Sequence, residues 1–213
     1  ARETDRRLIK EWLARVLLKG TFGGTPDAIY PVMRNLVNEN LGRFPLKEVI
    51  EYYKGKRKSI NFTQDDIDNI LNYDYGSART YCALTLLYPA LNYSFKYHQD
   101  HIHPKSFFSK RNLQHRGITD IENYISKYNK LPNLQLLQTN LNLEKSNQEF
   151  KDWLQSVYPN PADQKTYLLQ NHIDSDVSLD FEDFIDFFEK RKLKLKNLLQ
   201  TTLNVTQEES ETK

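Results

Sequence analysis

Tyr97-His98-Gln99-Asp100-His101-Ile102-His103-Pro104-Lys105-Ser106 is the stretch on which the organisation of this chain turns. Polar residues around His98 to His103 predict a short extended piece, and Pro104 stiffens the chain where it ends. A Lys/Arg-rich loop is expected from Lys105 to Arg116, then a short amphipathic helix from Asp120 to Tyr128. Asn133-Leu134-Gln135-Leu136-Leu137 reads as a second extended piece, followed by a helix from about Leu141 through Trp153. Strand, strand, helix is therefore the predicted order between about 95 and 153. The segment from Phe95 to Lys151 also holds four of the five histidines.

On both sides of this segment the periodicity is helical. Leu8, Ile9, Trp12, Leu13, Val16 and Leu17 recur at helical spacing and stop at Gly20. Thr25-Pro26 predicts a helix start, with the helix running to about Asn38. Leu46 to Tyr53 predicts a third helix. Phe62-Thr63-Gln64-Asp65-Asp66 opens a fourth, to about Tyr73, with acidic residues in its first turn, and Ser77 opens a fifth. Beyond the segment, Asn160-Pro161 caps a helix to about Gln170. A last helix is expected from about Asp180 to Leu203, with Phe181, Phe184, Ile185, Phe188 and Leu195 on its core face. The fold class is thus mainly α, with a small ββα element embedded in a helical domain. Its expected parts are a helical stretch over 1–94, the element over 95–153, C-terminal helices over 154–205 packing on it, and a disordered polar tail over 206–213.

Composition sets limits. In 213 residues, 38% are hydrophobic and 27% charged, the balance of a soluble globular protein, and 13 Tyr with 11 Phe supply much of the core. No apolar run reaches the length of a membrane span, and no signal-peptide core is visible. Cys82 is the single cysteine, which excludes an internal disulfide or a paired-cysteine zinc clip. A cytoplasmic location and no membrane association are expected. A net charge of +2 excludes a protein that coats nucleic acid by overall charge, so any such contact must be local. The chain opens on Ala1 and its one methionine is Met33, so a longer parent protein is expected.

The chemistry-bearing residues are Asp100, His101 and Asn142. Phosphodiester hydrolysis needs a water made nucleophilic near neutral pH, and histidine titrates there. It also needs a hard divalent cation to polarise the phosphate and stabilise the departing oxygen. Such cations prefer oxygen donors, which Asp100 offers as a carboxylate and Asn142 as a side-chain carbonyl. Lys145 follows Asn142 by one helical turn, on the same face, where it is expected to hold a phosphate.

Asp100-His101-Ile102-x-Pro104-x-Ser106, Asn133-Leu134 and Asn142-x-x-Lys145 together resemble the HNH (ββα-metal) nuclease module of the McrA type. With the lead-in Leu17-Leu18-Lys19-Gly20-Thr21-Phe22-Gly23-Gly24 and the helical finish, nearly the whole chain resembles the C-terminal nuclease domain of GmrSD-type restriction proteins, which include SspE-like anti-phage nucleases. The resemblance implies a metal-dependent endonuclease that nicks or cleaves DNA for a bacterial defence system. His101 is then the general base, Asp100 and Asn142 hold Mg2+ or Mn2+, and Asn133 orients the histidine loop. Many members of the second group carry Glu where this chain has Asp100. It also implies an N-terminal nucleotide-binding sensor domain, and no phosphate-cradling loop ending in GK[ST] occurs in this sequence.

Lys105, Lys110 and Arg111, with Lys145, are the expected DNA contacts, and Arg116 extends the cluster. A solvated basic loop explains the cluster equally well. His103 is expected to support its neighbour or lie at the surface, with metal or phosphate contact as the alternative. Asn140 competes with Asn142 as a ligand, the register of Lys145 favouring Asn142. His98, His115 and His172 read as ordinary polar residues and Cys82 as a core residue. Two alternatives stay open: a catalytically idle HNH-like module that only binds DNA or a partner, and RNA as the substrate.

Overall fold

Two short strands form the only regular sheet among the described residues, and helices account for most of the rest. The computed structural model describes residues 3–21, 23, 27, 29–92 and 94–205. Thr25, Pro26 and the tail over 206–213 lie outside them. The chain divides into two units, 1–63 with 203–213, and 64–202.

In the first unit, α1 (Glu3–Lys19), α2 (Tyr30–Glu39) and α3 (Leu46–Tyr53) bury Val16, Ile29, Val49, Tyr53 and Ile60. Gly20 ends α1 at φ 62°, a left-handed conformation that glycine adopts without a Cβ clash. α2 starts at Tyr30 with Pro31 in its first turn, and the expected start at Thr25-Pro26 lies outside the described residues.

In the second unit come α4 (Gln64–Leu71), α5 (Ala78–Leu87), β1 (Tyr97–His101), α6 (Lys110–His115), α7 (Ile121–Lys127), β2 (Leu134–Gln138), α8 (Thr139–Lys145), α9 (Phe150–Val157), α10 (Pro161–Gln170) and α11 (Phe184–Thr202). Local chemistry accounts for several helix starts. Ser77 accepts a hydrogen bond from the Thr80 amide, and Asn160 accepts one from Ala162 with Pro161 as first helical residue. Three expectations are corrected. The basic loop from Lys105 is a 3-10 turn, Lys105–Phe108, followed by α6, which Ser109 caps by accepting from Asn112 N. The single helix expected from Leu141 to Trp153 is two, because Ser146 takes a positive φ of 43° and breaks the helical ladder. Phe181–Asp183 forms a separate 3-10 turn ahead of α11. α4 and α5 belong to the unit that carries the sheet.

β1 and β2 are antiparallel, with Asp100 opposite Gln135 and His101 opposite Leu134. α8 follows β2 directly and packs on both strands. α11 packs against α4, α5, α7 and the turn Leu131–Asn133 that leads into β2. Its buried Phe184, Phe187 and Phe188 join Ile102, Phe108, Tyr124, Leu137, Phe150, Trp153 and Phe181 in one core. The guanidinium of Arg191 is buried in this wall. It donates to the carbonyls of Pro132 (2.6 Å), Leu134 (2.9 Å) and Asn171 (3.1 Å). These bonds compensate the desolvation of a buried cation and hold the start of β2 on α11.

Candidate active site

Successive side chains on a strand point to opposite faces, so Asp100 and His101 look in different directions from one peptide. Asp100 lies on the face covered by α8. Gln135, its cross-strand neighbour, donates from Nε2 to Asp100 Oδ2 (2.8 Å), and Lys145 pairs with the same oxygen at 2.9 Å. Gln135 in turn accepts a hydrogen bond from the Tyr167 hydroxyl (2.7 Å). Lys145 also donates to the carbonyl of His101, tying α8 to the end of β1. Its side chain is 0% exposed and that of Asp100 is 11% exposed. Burial lowers the lysine's pKa, opposed by the Asp100 charge and hydrogen bond. An ammonium so enclosed has no surface to offer a phosphate. The expected phosphate contact of Lys145 is therefore replaced by an ion pair with Asp100.

His101 looks toward the 73–75 and 128–129 segments. Its ring lies 4.4 Å from that of Tyr75 and 6.1 Å from that of Tyr128, both stacked, and Nε2 is 3.0 Å from Asn129 Oδ1. Burial lowers the pKa of its imidazole, against the Asn129 bond and the neighbouring Asp100 charge. A neutral imidazole is the form that can accept a proton.

Asn133 is fully buried between these parts. Its Oδ1 accepts from the His103 amide (3.0 Å), while Nδ2 donates to His103 O (3.2 Å) and Tyr128 O (2.7 Å). The Ile102 amide bonds the Asn133 carbonyl at 2.8 Å. One side chain thus fastens the loop after His101 to the start of β2.

His103 is neither at the surface nor beside its neighbour. β1 stops at His101, the alternation stops with it, and the clamped bend turns His103 into the core. Phe150, Phe181, Phe184 and Phe187 surround its ring with centroids 4.7–6.1 Å away. Its Nε2 has no hydrogen-bond partner, and burial pushes its pKa down to about 3, helped by the Lys145 charge. A metal or phosphate contact does not fit this enclosure.

Asn142 sits half-buried on α8, one turn before Lys145, with Asn140 exposed at its start. Lys105, Lys110 and Arg111 are exposed, and Lys110 pairs with Glu122 at 3.2 Å. Arg116 is committed elsewhere, between the Phe107 and Phe181 rings and paired with Glu149 and Glu182. His98 bonds Thr139 Oγ1 (3.0 Å), His172 bonds the Leu87 carbonyl (2.6 Å), and His115 is exposed. Cys82 is buried, and burial pushes its thiol up to about 11.

Sequence reasoning assigned no role to Gln135, Asn129, Tyr75, Tyr167 or Arg191. Gln135 alone carried a signal, a polar residue inside the apolar run Leu134, Leu136, Leu137. The others are brought in by tertiary contacts.

Asp100 and Asn142 offer the oxygen donors that Mg2+ and Mn2+ take, and both hydrogen bonds to the Asp100 carboxylate fall on Oδ2. Among the described residues no group of three or more His, Cys, Asp or Glu could hold a metal ion. Mg2+ commonly takes one or two protein oxygens and completes its shell with water and phosphate. Among the described residues no helix is long and apolar enough to cross a membrane. No family model matches the chain, and no curated protein matches it.

Proposed function

We propose that this chain is a metal-dependent endonuclease of the HNH type that nicks or cleaves DNA in the cytoplasm, as the effector of a bacterial defence protein. One observation carries the reading. Asp100-His101 ends a strand whose antiparallel partner runs directly into the helix bearing Asn142, with Asn133 clamping the loop after His101. His101 is the general base: burial favours its neutral form, and its ring is held from two sides. Asp100 and Asn142 would hold Mg2+ or Mn2+, which would supply phosphate polarisation and stabilise the departing oxygen. Lys105, Lys110 and Arg111 contact the DNA backbone. The nucleotide-binding sensor domain is the proposed partner.

One feature favours the alternative of an idle binding module. The Asp100 carboxylate already has a cation, the Lys145 ammonium. Supercoiled plasmid with Mg2+ or Mn2+ separates the two readings. The nuclease converts it to open-circular or linear DNA and stops in EDTA, and His101→Ala lowers the rate at least about 100-fold. Intact plasmid under all metal conditions, with DNA still bound, is the result of an idle module. A structured RNA run in parallel decides the nucleic acid.

A further inference from the structure

The His101 ring is gripped by a part of the chain that none of the recognised motif residues belongs to. Segments 73–75 and 129–131 are zipped together: Tyr75 N donates to Asn129 O (2.9 Å), Leu131 N donates to Tyr73 O (3.0 Å), and Asp74 bridges Lys130. An ion pair between Lys130 and Asp74 at 3.0 Å reinforces the zipper. Asn129 therefore acts twice. Its main chain holds Tyr75, whose ring stacks on His101 at 4.4 Å, and its side-chain oxygen meets His101 Nε2 at 3.0 Å. Asn133 anchors the same region, through its bond to Tyr128 O.

We infer that Asn129 is a positioning residue that fixes the tautomer of His101, keeping the proton on Nε2 and the lone pair on Nδ1. An amide oxygen only accepts, so the ring nitrogen facing it must donate, and in a neutral imidazole the other nitrogen is then the acceptor. No described residue bonds Nδ1. Nδ1 is the atom left to take a proton from water. The stacked Tyr75 ring opposes rotation about the Cβ–Cγ bond, which would put a carbon where Nε2 now meets Asn129. The catalytic meaning of this arrangement rests on the proposed function; the tautomer itself does not.

The test is 15N imidazole spectroscopy on the full chain at pH 8 without divalent metal, beside single-turnover plasmid cleavage with it. Wild-type His101 is expected as the Nε2–H tautomer. Asn129→Leu removes the acceptor and should give mixed tautomers and cleavage slowed about 10–100-fold. Asn129→Asp keeps an acceptor oxygen, should restore the Nε2–H form and should cleave faster than the leucine variant. An Nδ1–H tautomer in the wild type overturns the inference, as does a leucine variant with the wild-type tautomer and rate. If Asn129→Leu does not fold, the wild-type and aspartate spectra decide. A wild type in the Nε2–H form that cleaves nothing refutes the nuclease reading and leaves the tautomer assignment standing.

Discussion

At the scale of single residues, Lys145 and His103 show how burial changes what a side chain does. A fully buried ammonium is stable only with its charge compensated, and Asp100 is the compensating group. Lys145→Met should destabilise the protein by about 3–5 kcal/mol, the cost of leaving one member of a buried pair alone. Adding Asp100→Asn to it should recover much of that loss in urea unfolding. If Asp100 is a metal ligand, Mn2+ should raise the melting temperature of Lys145→Met more than that of the wild type, since no ammonium competes for the carboxylate. Equal shifts would separate Asp100 from metal binding. His103 makes a prediction about pH. Its imidazole is held near 3 when folded, against an ordinary value of 6.5. Below 6.5 the unfolded chain therefore takes up a proton that the folded one refuses. This contribution to stability is complete above 6.5 and is lost progressively as pH falls toward 3. His172, pushed down to about 4 by burial, acts in the same direction. Urea midpoints measured from pH 8 to 4 should fall, and His103→Leu should flatten that fall.

At the scale of elements, the ββα unit depends on where its helix ends. Ser146 closes α8 at φ 43° and ψ −120°, a region that side chains with a Cβ rarely occupy. The residue is exposed, so glycine costs no packing there. Ser146→Gly should stabilise by about 1 kcal/mol, read as a higher melting temperature with unchanged helix content. A lower melting temperature would mean that the serine side chain is needed at the break. That break frees α9 to take its own direction and to bury Phe150 and Trp153 in the core that encloses His103.

For the molecule as a whole, a net charge of +2 gives no long-range pull on nucleic acid. Under the proposed function, binding would come from exposed local cations, and Lys105, Lys110 and Arg111 are exposed. Replacing all three by alanine should weaken DNA binding and reduce the slope of log K against log salt by about 0.9 for each phosphate that is no longer neutralised. An unchanged slope places the DNA elsewhere. The fold should survive, since all three side chains are exposed and the one ion pair they make among the described residues, Lys110 with Glu122, is a surface pair worth at most about 1 kcal/mol.

Periodicity and local capping determined much of the architecture. Apolar spacing, Ser77, Asn160-Pro161 and Gly20 mark helices and their ends because a cap or a positive φ is a matter of a few adjacent residues. The Asp100-His101 strand and the Leu134–Gln138 strand were legible for the same reason. Sequence spacing alone did not decide the direction in which the site's side chains face. His103 was expected beside His101 because strand alternation was carried two residues too far; the Asn133 clamp ends it. Lys145 was expected to hold a phosphate because a helical wheel has no knowledge of which face the sheet covers. Asn129, Tyr75, Gln135, Tyr167 and Arg191 enter the site's surroundings across long stretches of chain, 28 residues for His101 to Asn129 and 57 for Arg191 to Leu134. Such pairings exist only after the chain has packed, so only the tertiary structure could decide them.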